Sequence, residues 1–364
     1  MVTIKEIAHE CGVSATTISN VLNGKAKTSE ETRKRILEVI AKRGYRPNSI
    51  AQGLRSQRTK TIGIIAEDIA LFSSPEIIEG IMAFCEKKGY RVVVKNLRMY
   101  SRWSDSWYND ETAYHSIMDP ALQELLSIMV DGIIYVAGHA RYITSFPEDF
   151  ATPAVMAYAY SANEDIPSVL LDDEDTAYRI VKYLTEKGHK NIAILAGLPD
   201  NIHTQRRLLG AQKALFEAGI LFNPDWVRFV NWDLEPAYKA AGEMLGTGAT
   251  AIFCMTDRMA GGIYRYVDEK GMRVGKDISI VGYDDQDMSE YMLPPLTTAR
   301  LPLVEIGNCA ARLLFSQIEG GGEEPDFEET VEDAGKYRVK KKGNKEYMIP
   351  CDFIERESVK DLCG

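Results

Sequence analysis

From Thr61 onward, short β-rich runs alternate with amphipathic helical stretches, and few architectures accept that alternation. The runs predict strands at 62–66, 91–94, 132–136, 154–157, 169–171, 192–196, 251–255 and 278–282. Between them, helical periodicity falls at 76–88, 175–187, 207–218, 236–245 and 258–270. Strand and helix in turn imply parallel sheets covered on both faces. So many strands in about 300 residues fit two doubly wound lobes better than one. Ligands of such folds bind beyond the carboxyl ends of the strands, which here means a cleft between lobes.

The first 60 residues follow a different plan. They hold 12 Lys and Arg against 5 Asp and Glu, whereas the remaining 304 residues hold 31 against 48. A head at +7 on a body at −17 suits a segment that meets phosphate and a body that avoids it. Read blandly, the same charge is a solvated face. Within residues 1–45 the pattern predicts three short helices. Thr3 and Glu6 have capping-box spacing, Gly12 can end the first helix, and Ser14 can cap the second. Ile18, Val21 and Leu22 form the apolar side of that second helix. Thr28 and Glu31 repeat the box before a third, with Ile36, Val39 and Ile40 inward. Two helices around a tight Gly turn followed by a third make a helix-turn-helix.

The stretches Thr3-Ile4-Lys5-Glu6-Ile7-Ala8, Gly12-Val13-Ser14, Thr17-Ile18-Ser19-Asn20-Val21-Leu22-Asn23 and Gly44-Tyr45-Arg46-Pro47-Asn48 closely resemble the LacI/GalR family of bacterial transcription regulators. The resemblance implies that Ala15, Thr16 and Asn20 read major-groove bases. It puts Thr3, Ser14, Thr17, Ser19 and Asn23 on phosphates. Asn20 stands where the family most often has Arg, which removes a bidentate guanine contact and admits an amide on adenine. Pro47 ends the bundle, and Asn48 can cap a helix of about eight residues, too short to be stable alone. In the resembling family this is the hinge helix. Asn48, Ala51, Leu54 and Arg55 would then meet the minor groove, with Leu54 wedging between base steps and Arg55 beside it. Gly53 is unusual for that segment. The implied domains are a helix-turn-helix at 1–45, a hinge and linker at 46–60, and a two-lobed, periplasmic-binding-protein-like α/β domain at 61–364 that binds effector and dimerises.

The body carries further resembling motifs: Asp131-Gly132-Ile133-Ile134, Lys187-Gly188-His189, Arg207-Leu208-Leu209-Gly210, Thr256-Asp257-Arg258, Val281-Gly282-Tyr283-Asp284-Asp285 and Pro294-Pro295-Leu296-Thr297-Thr298. On that template Arg207, Trp232 and Asp284 are effector contacts, and His203 lies near the cleft where a small polar residue is common. Arg and Asp can hydrogen-bond hydroxyls or carboxylates, while an indole offers a flat face to a sugar ring. Composition alone reads them as a surface charge, a core aromatic and a turn residue. The motifs favour the cleft for Arg207 and Asp284 and leave Trp232 open. Two segments depart from the family. Residues 96–120 carry Tyr100, Trp103, Trp107, Tyr108 and Tyr114 and read as an aromatic wall over the cleft or a surface excursion. Residues 320–346 read as a projecting loop, and 347–356 as a returning strand. Eight residues after Arg356 are too few for a tetramerising coiled coil.

No run of about 18 apolar residues or signal-peptide pattern occurs, which predicts a protein away from membranes. Six dispersed cysteines without a C-x-x-C pair suit reduced thiols in a cytoplasm. No P-loop, metal-ligand cluster or nucleophile elbow is present, and the adjacent acids Asp172-Asp173 and Asp284-Asp285 would diverge if they lay in strands. The expectation is a non-enzymatic homodimeric repressor without cofactor or metal. It would bind a pseudo-palindromic DNA operator under the control of a small molecule, most simply a sugar. Alternatives are a corepressor-dependent regulator, an activator, or a cytosolic receptor of solute-binding type.

Overall fold

The computed structural model describes residues 2–22, 28–45, 58–104, 110–320, 339–343 and 345–363. Asn23, Asn48, Ala51, Leu54 and Arg55, together with Trp107 and Tyr108, lie outside these described residues. The chain divides into two compact units, Met1–Lys60 and Thr61–Gly364.

The first unit packs α1 (Ile4–Cys11), α2 (Ala15–Leu22) and α3 (Glu30–Arg43) around Ile7, Ala8, Cys11, Ile18, Val21 and Ile36. The capping box on α1 forms: the Glu6 amide donates to Thr3 Oγ1 at 3.3 Å and the Thr3 amide to Glu6 Oε2 at 2.8 Å. Gly12 closes the helix at φ 61°, a left-handed geometry that costs other residues a Cβ clash. Ser14 caps α2, accepting from the Thr17 amide at 3.0 Å. The third helix departs from expectation. Ser29, not Thr28, is its N-cap, accepting from the Thr32 amide at 3.3 Å, so no Thr28–Glu31 box forms. Ser at the cap with Thr at N3 satisfies the same orphan amide one residue later.

The second unit opens with β1 (Thr61–Ala66), α4 (Ser74–Lys87), β2 (Arg91–Asn96), α5 (Glu111–Ser127), β3 (Gly132–Val136), β4 (Ala154–Ala157) and β5 (Ser168–Leu171). It continues with α6 (Asp173–Glu186), β6 (Ile192–Ala196), α7 (Ile202–Glu217), β7 (Val227–Phe229), α8 (Leu234–Gly246), β8 (Ala251–Cys254), α9 (Asp257–Glu269) and β9 (Ser279–Val281). Then come β10 (Thr298–Arg300), α10 (Leu303–Glu319), β11 (Lys340–Lys342), β12 (Glu346–Ile349) and β13 (Asp352–Ile354). Among the described residues one sheet runs β11-β12-β5-β4-β3-β1-β2 and a second β9-β8-β6-β7. Every pairing in both is parallel except β11 with β12. The strand interiors of β1, β3, β4, β5, β6 and β8 are wholly buried, the signature of sheets covered on both faces.

The chain leaves the first sheet after β5, returns through β10 into α10, and leaves again after β12, so two lobes share three crossings. The single strand expected at 347–356 is two: Pro350 has no amide to donate, and β12 ends before it while β13 pairs antiparallel with β10. Lys340–Lys342, expected in a loop, is an exposed edge strand whose lysines discourage pairing with another chain. Helices α5 and α10 were not foreseen. The α10 helix is buried along most of its length and therefore lacks a polar face to mark its period.

Candidate functional site

On α2, Ile18 and Val21 anchor the helix in the core, which turns Thr16 and Asn20, four residues apart, to solvent on one face. Ala15 is half-buried against the core. The hydroxyls of Thr3, Ser14 and Thr17 are exposed or partly so but already serve local bonds: Thr3 with Glu6 at 3.1 Å, and Ser14 with Thr17 at 2.9 Å. Ser19 is half-buried on the same helix.

In the second unit the side chains gather beyond the carboxyl ends of the strands. Asp173 opens α6 just past β5. Its carboxylate, almost fully buried, accepts from Arg207 Nε at 2.7 Å, from His203 Nδ1 at 2.7 Å and from the Tyr283 hydroxyl at 3.1 Å. Burial alone would push this carboxyl up. The His203 and Arg207 partners outweigh it and hold Asp173 at about 2. Arg207, on α7, also donates Nη1 to the Met255 carbonyl. Its guanidinium lies 3.6 Å from the Tyr283 ring centroid and 5.8 Å from that of Trp232. His203 Nε2 accepts the Ala140 amide at 3.0 Å while Nδ1 faces Asp173, so the ring joins the lobes.

Trp232 follows β7 and stacks on His139, ring centroids 6.3 Å apart and planes 23° from parallel. A Cβ on Gly197 would collide with that indole, so glycine is what lets the ring lie on the backbone. Burial, with His203 and then Arg207 adding to it, drops His139 to about 3. Tyr100 reaches the same imidazole at 6.1 Å, so one aromatic of the 96–120 segment does stand at the cleft. Trp103 instead packs against the first lobe's core, and Tyr114 is buried in it.

The loop bearing His139 is pinned by Glu67. This buried carboxylate accepts from the Gly138 amide at 2.7 Å, the Tyr135 hydroxyl at 2.8 Å and Arg141 Nε at 3.0 Å, while Arg141 lies 4.2 Å above the Tyr114 ring. Asp284 is buried at φ 115°, a strained value for a residue with a Cβ, and its amide donates to the Ala299 carbonyl at 2.9 Å. Burial raises its carboxyl well above the usual range against the pull of Arg207. Asp285 turns the other way, to Arg300 and Arg356, each at 2.8 Å. A cavity of about 570 Å³ lies between Phe72 and Glu76 of the first lobe and Asp284–Met288 of the second, within the size range of ligand sites.

Arg207, His203 and Trp232 are thus brought together, and Asp284 lines the adjoining cavity. Sequence reading missed Asp173, Glu67, Arg141 and His139. The adjacency of Asp172 and Asp173 predicts divergence if they lie in a strand. The two do diverge, but because they start a helix, where Asp172 caps the Asp175 amide at 3.2 Å and Asp173 turns inward. The usable signal was an acid just past a β-run, where cleft residues sit.

Residues 3–48 match the model of bacterial regulatory proteins of the lacI family, and residues 181–337 that of a periplasmic-binding-protein-like domain. The chain is 33% identical over 321 residues to catabolite control protein A of Priestia megaterium, covering 86% of this chain and 91% of that protein. It is 29% identical to the HTH-type transcriptional repressor PurR of Vibrio cholerae, over 100% of this chain and 99% of the relative. The lac repressor dimer bound to operator and the anti-inducer ONPF superposes with a TM-score of 0.76 at 26% identity, covering 99% of each chain. Head, lobes and relatives agree: the chain belongs to the LacI family of bacterial transcription regulators.

Proposed function

We propose that the protein is a homodimeric cytoplasmic repressor that binds a pseudo-palindromic operator and whose grip on DNA is set by a small molecule, a sugar, held between the lobes. The protein has no catalytic role in this reading. Thr16 and Asn20, with Ala15, read bases, and Thr3, Ser14, Thr17, Ser19 and Asn23 meet phosphates. Asn48, Ala51, Leu54 and Arg55 engage the minor groove, and Arg207, Trp232, Asp284 and His203 serve the effector. The observation that carries the reading is α2: Ile18 and Val21 hold it in the core while Thr16 and Asn20 face solvent one turn apart, on a head with a balance of +7.

The test is binding of the full chain to its own upstream DNA at 50 and 200 mM salt, with and without a panel of sugars. Affinity is expected to fall by about a thousandfold or more between the two salts, as for six or more phosphate contacts, and to change with one sugar. Binding that ignores salt would refute the DNA-binding assignment; binding that ignores every sugar would refute the sugar.

A further inference from the structure

Among the described residues the buried cationic side chains are two guanidiniums, Arg207 and Arg141, and each already holds a buried carboxylate at hydrogen-bond distance, Asp173 at 2.7 Å and Glu67 at 3.0 Å. A phosphate or carboxylate entering the cleft would have to displace an internal anion from a low-dielectric pair, leaving that anion buried and uncompensated. Resting on the proposal that the cleft binds a small molecule, we infer that Asp173 makes this site select an uncharged, polyhydroxylated ligand over its phosphorylated counterpart, by occupying the guanidinium that would take the anion.

Three further features point the same way. His203 shares the Asp173 carboxylate through Nδ1 while its Nε2 accepts the Ala140 amide, so neither ring nitrogen is left to donate to an anion. The half-exposed surfaces beside the pair are rings, Trp232 stacked on His139, which suit the apolar face of a sugar. The adjoining cavity carries Glu76, Asp284, Asp285, Asp287 and Glu290, and its two guanidiniums, Arg300 and Arg356, both bind Asp285. Asp284, whose carboxyl burial pushes well above the usual range, accepts from Gln286 Nε2 at 3.1 Å. An anion therefore meets carboxylates at the mouth and a filled guanidinium inside.

The experiment measures melting of the full chain against inorganic phosphate at constant ionic strength, then against glucose paired with glucose 6-phosphate and ribose paired with ribose 5-phosphate. Wild type is expected to be indifferent to phosphate and to respond to no phosphate ester more than to its parent sugar. Asp173→Asn frees the guanidinium and is expected to bind phosphate at least about tenfold more tightly than wild type, the worth of one charge-assisted hydrogen bond. Adding Arg207→Met should remove that gain. The inference is overturned if wild type binds phosphate and Arg207→Met abolishes it, or if folded Asp173→Asn gains nothing. Should Asp173→Asn not fold, the wild-type comparison still decides, since any ester outperforming its sugar refutes the selection. DNA affinity is read separately, so ligand binding without effect on DNA would count against the regulatory reading and leave the selection intact.

Discussion

The basic head and the cleft between the lobes use the same charged side chains in opposite ways. In the head, Lys5, Arg33, Lys34, Arg35, Lys42 and Arg43 are all exposed, and the ion pair between Arg43 and Glu10, at 2.7 Å, lies at the surface. In the cleft, Arg141 and Arg207 are buried, and each is bound to a carboxylate and flanked by an aromatic ring. An exposed cation is free to exchange small counterions for a polyanion, and gains by releasing them. A buried cation has its anion built in, because leaving it without one would cost more than the fold can spare. The head is thus suited to a charged partner, and the cleft, on the inference above, to an uncharged one.

The sharpest way to break that contrast is Asp173→Leu. Leaving Arg207 buried without its partner is expected to cost about 3–5 kcal/mol in urea unfolding. The double change Asp173→Leu with Arg207→Met should recover most of it. A head cation such as Lys34→Ala is expected to move stability by no more than about 0.5 kcal/mol. If Asp173→Leu alone proved neutral, the pair would be wet and the two regions would not differ in kind.

How far each region was legible follows from the same distinction. The head could be read closely because its signals are local: capping spacings, Gly12 and the Ile18/Val21 face lie within a few residues of one another. Even there, Ser29 and Thr28 compete for one cap, and spacing alone picked the wrong one. The lobes could be read as alternating strands and helices because buried parallel strands are nearly continuous apolar runs. Helix α10 escaped because burial on most sides erases its period. The cleft was only half legible. Arg207 and Asp284 were marked by motif and Trp232 was left open, whereas Asp173 reaches Arg207 across 34 residues and Glu67 reaches Arg141 across 74, and no periodicity records such distances.

A smaller effect sharpens the head's side of the comparison. Asn20→Ala removes an exposed amide that supports nothing in the core, so stability should hold while operator binding weakens. Competition between operator and random DNA should show about 1–3 kcal/mol of lost discrimination, with binding to random DNA and its salt slope unchanged. A uniform loss on both DNAs would make Asn20 a phosphate contact, and no loss would take it off the interface.

The smallest effect tests whether the cleft is dry. His139 is drawn down to about 3, against an ordinary value of 6.5, because burial and the nearby His203 and Arg207 disfavour its cation. A histidine depressed on folding contributes stability above its unfolded pKa and loses it as pH falls toward the folded one. Between pH 6.5 and 5 that loss amounts to at most ~2 kcal/mol, at 1.36 kcal/mol per unit. Asp173, held at about 2, stays ionised throughout this window and adds nothing. Asp257, pushed up to about 6 mainly by burial, works in the opposite sense: it binds a proton earlier in the fold than in the unfolded chain, so acidification favours it. The wild-type curve mixes these with other shifted groups, among them Asp284, raised by burial, and His189, lowered by it, and the measurement is therefore the difference between wild type and His139→Gln across the window. The variant should lose the acid-side decline that His139 contributes and keep the rise due to Asp257. Parallel curves would mean that His139 charges freely against Trp232, and a ring that charges freely belongs to a wet wall open to anions.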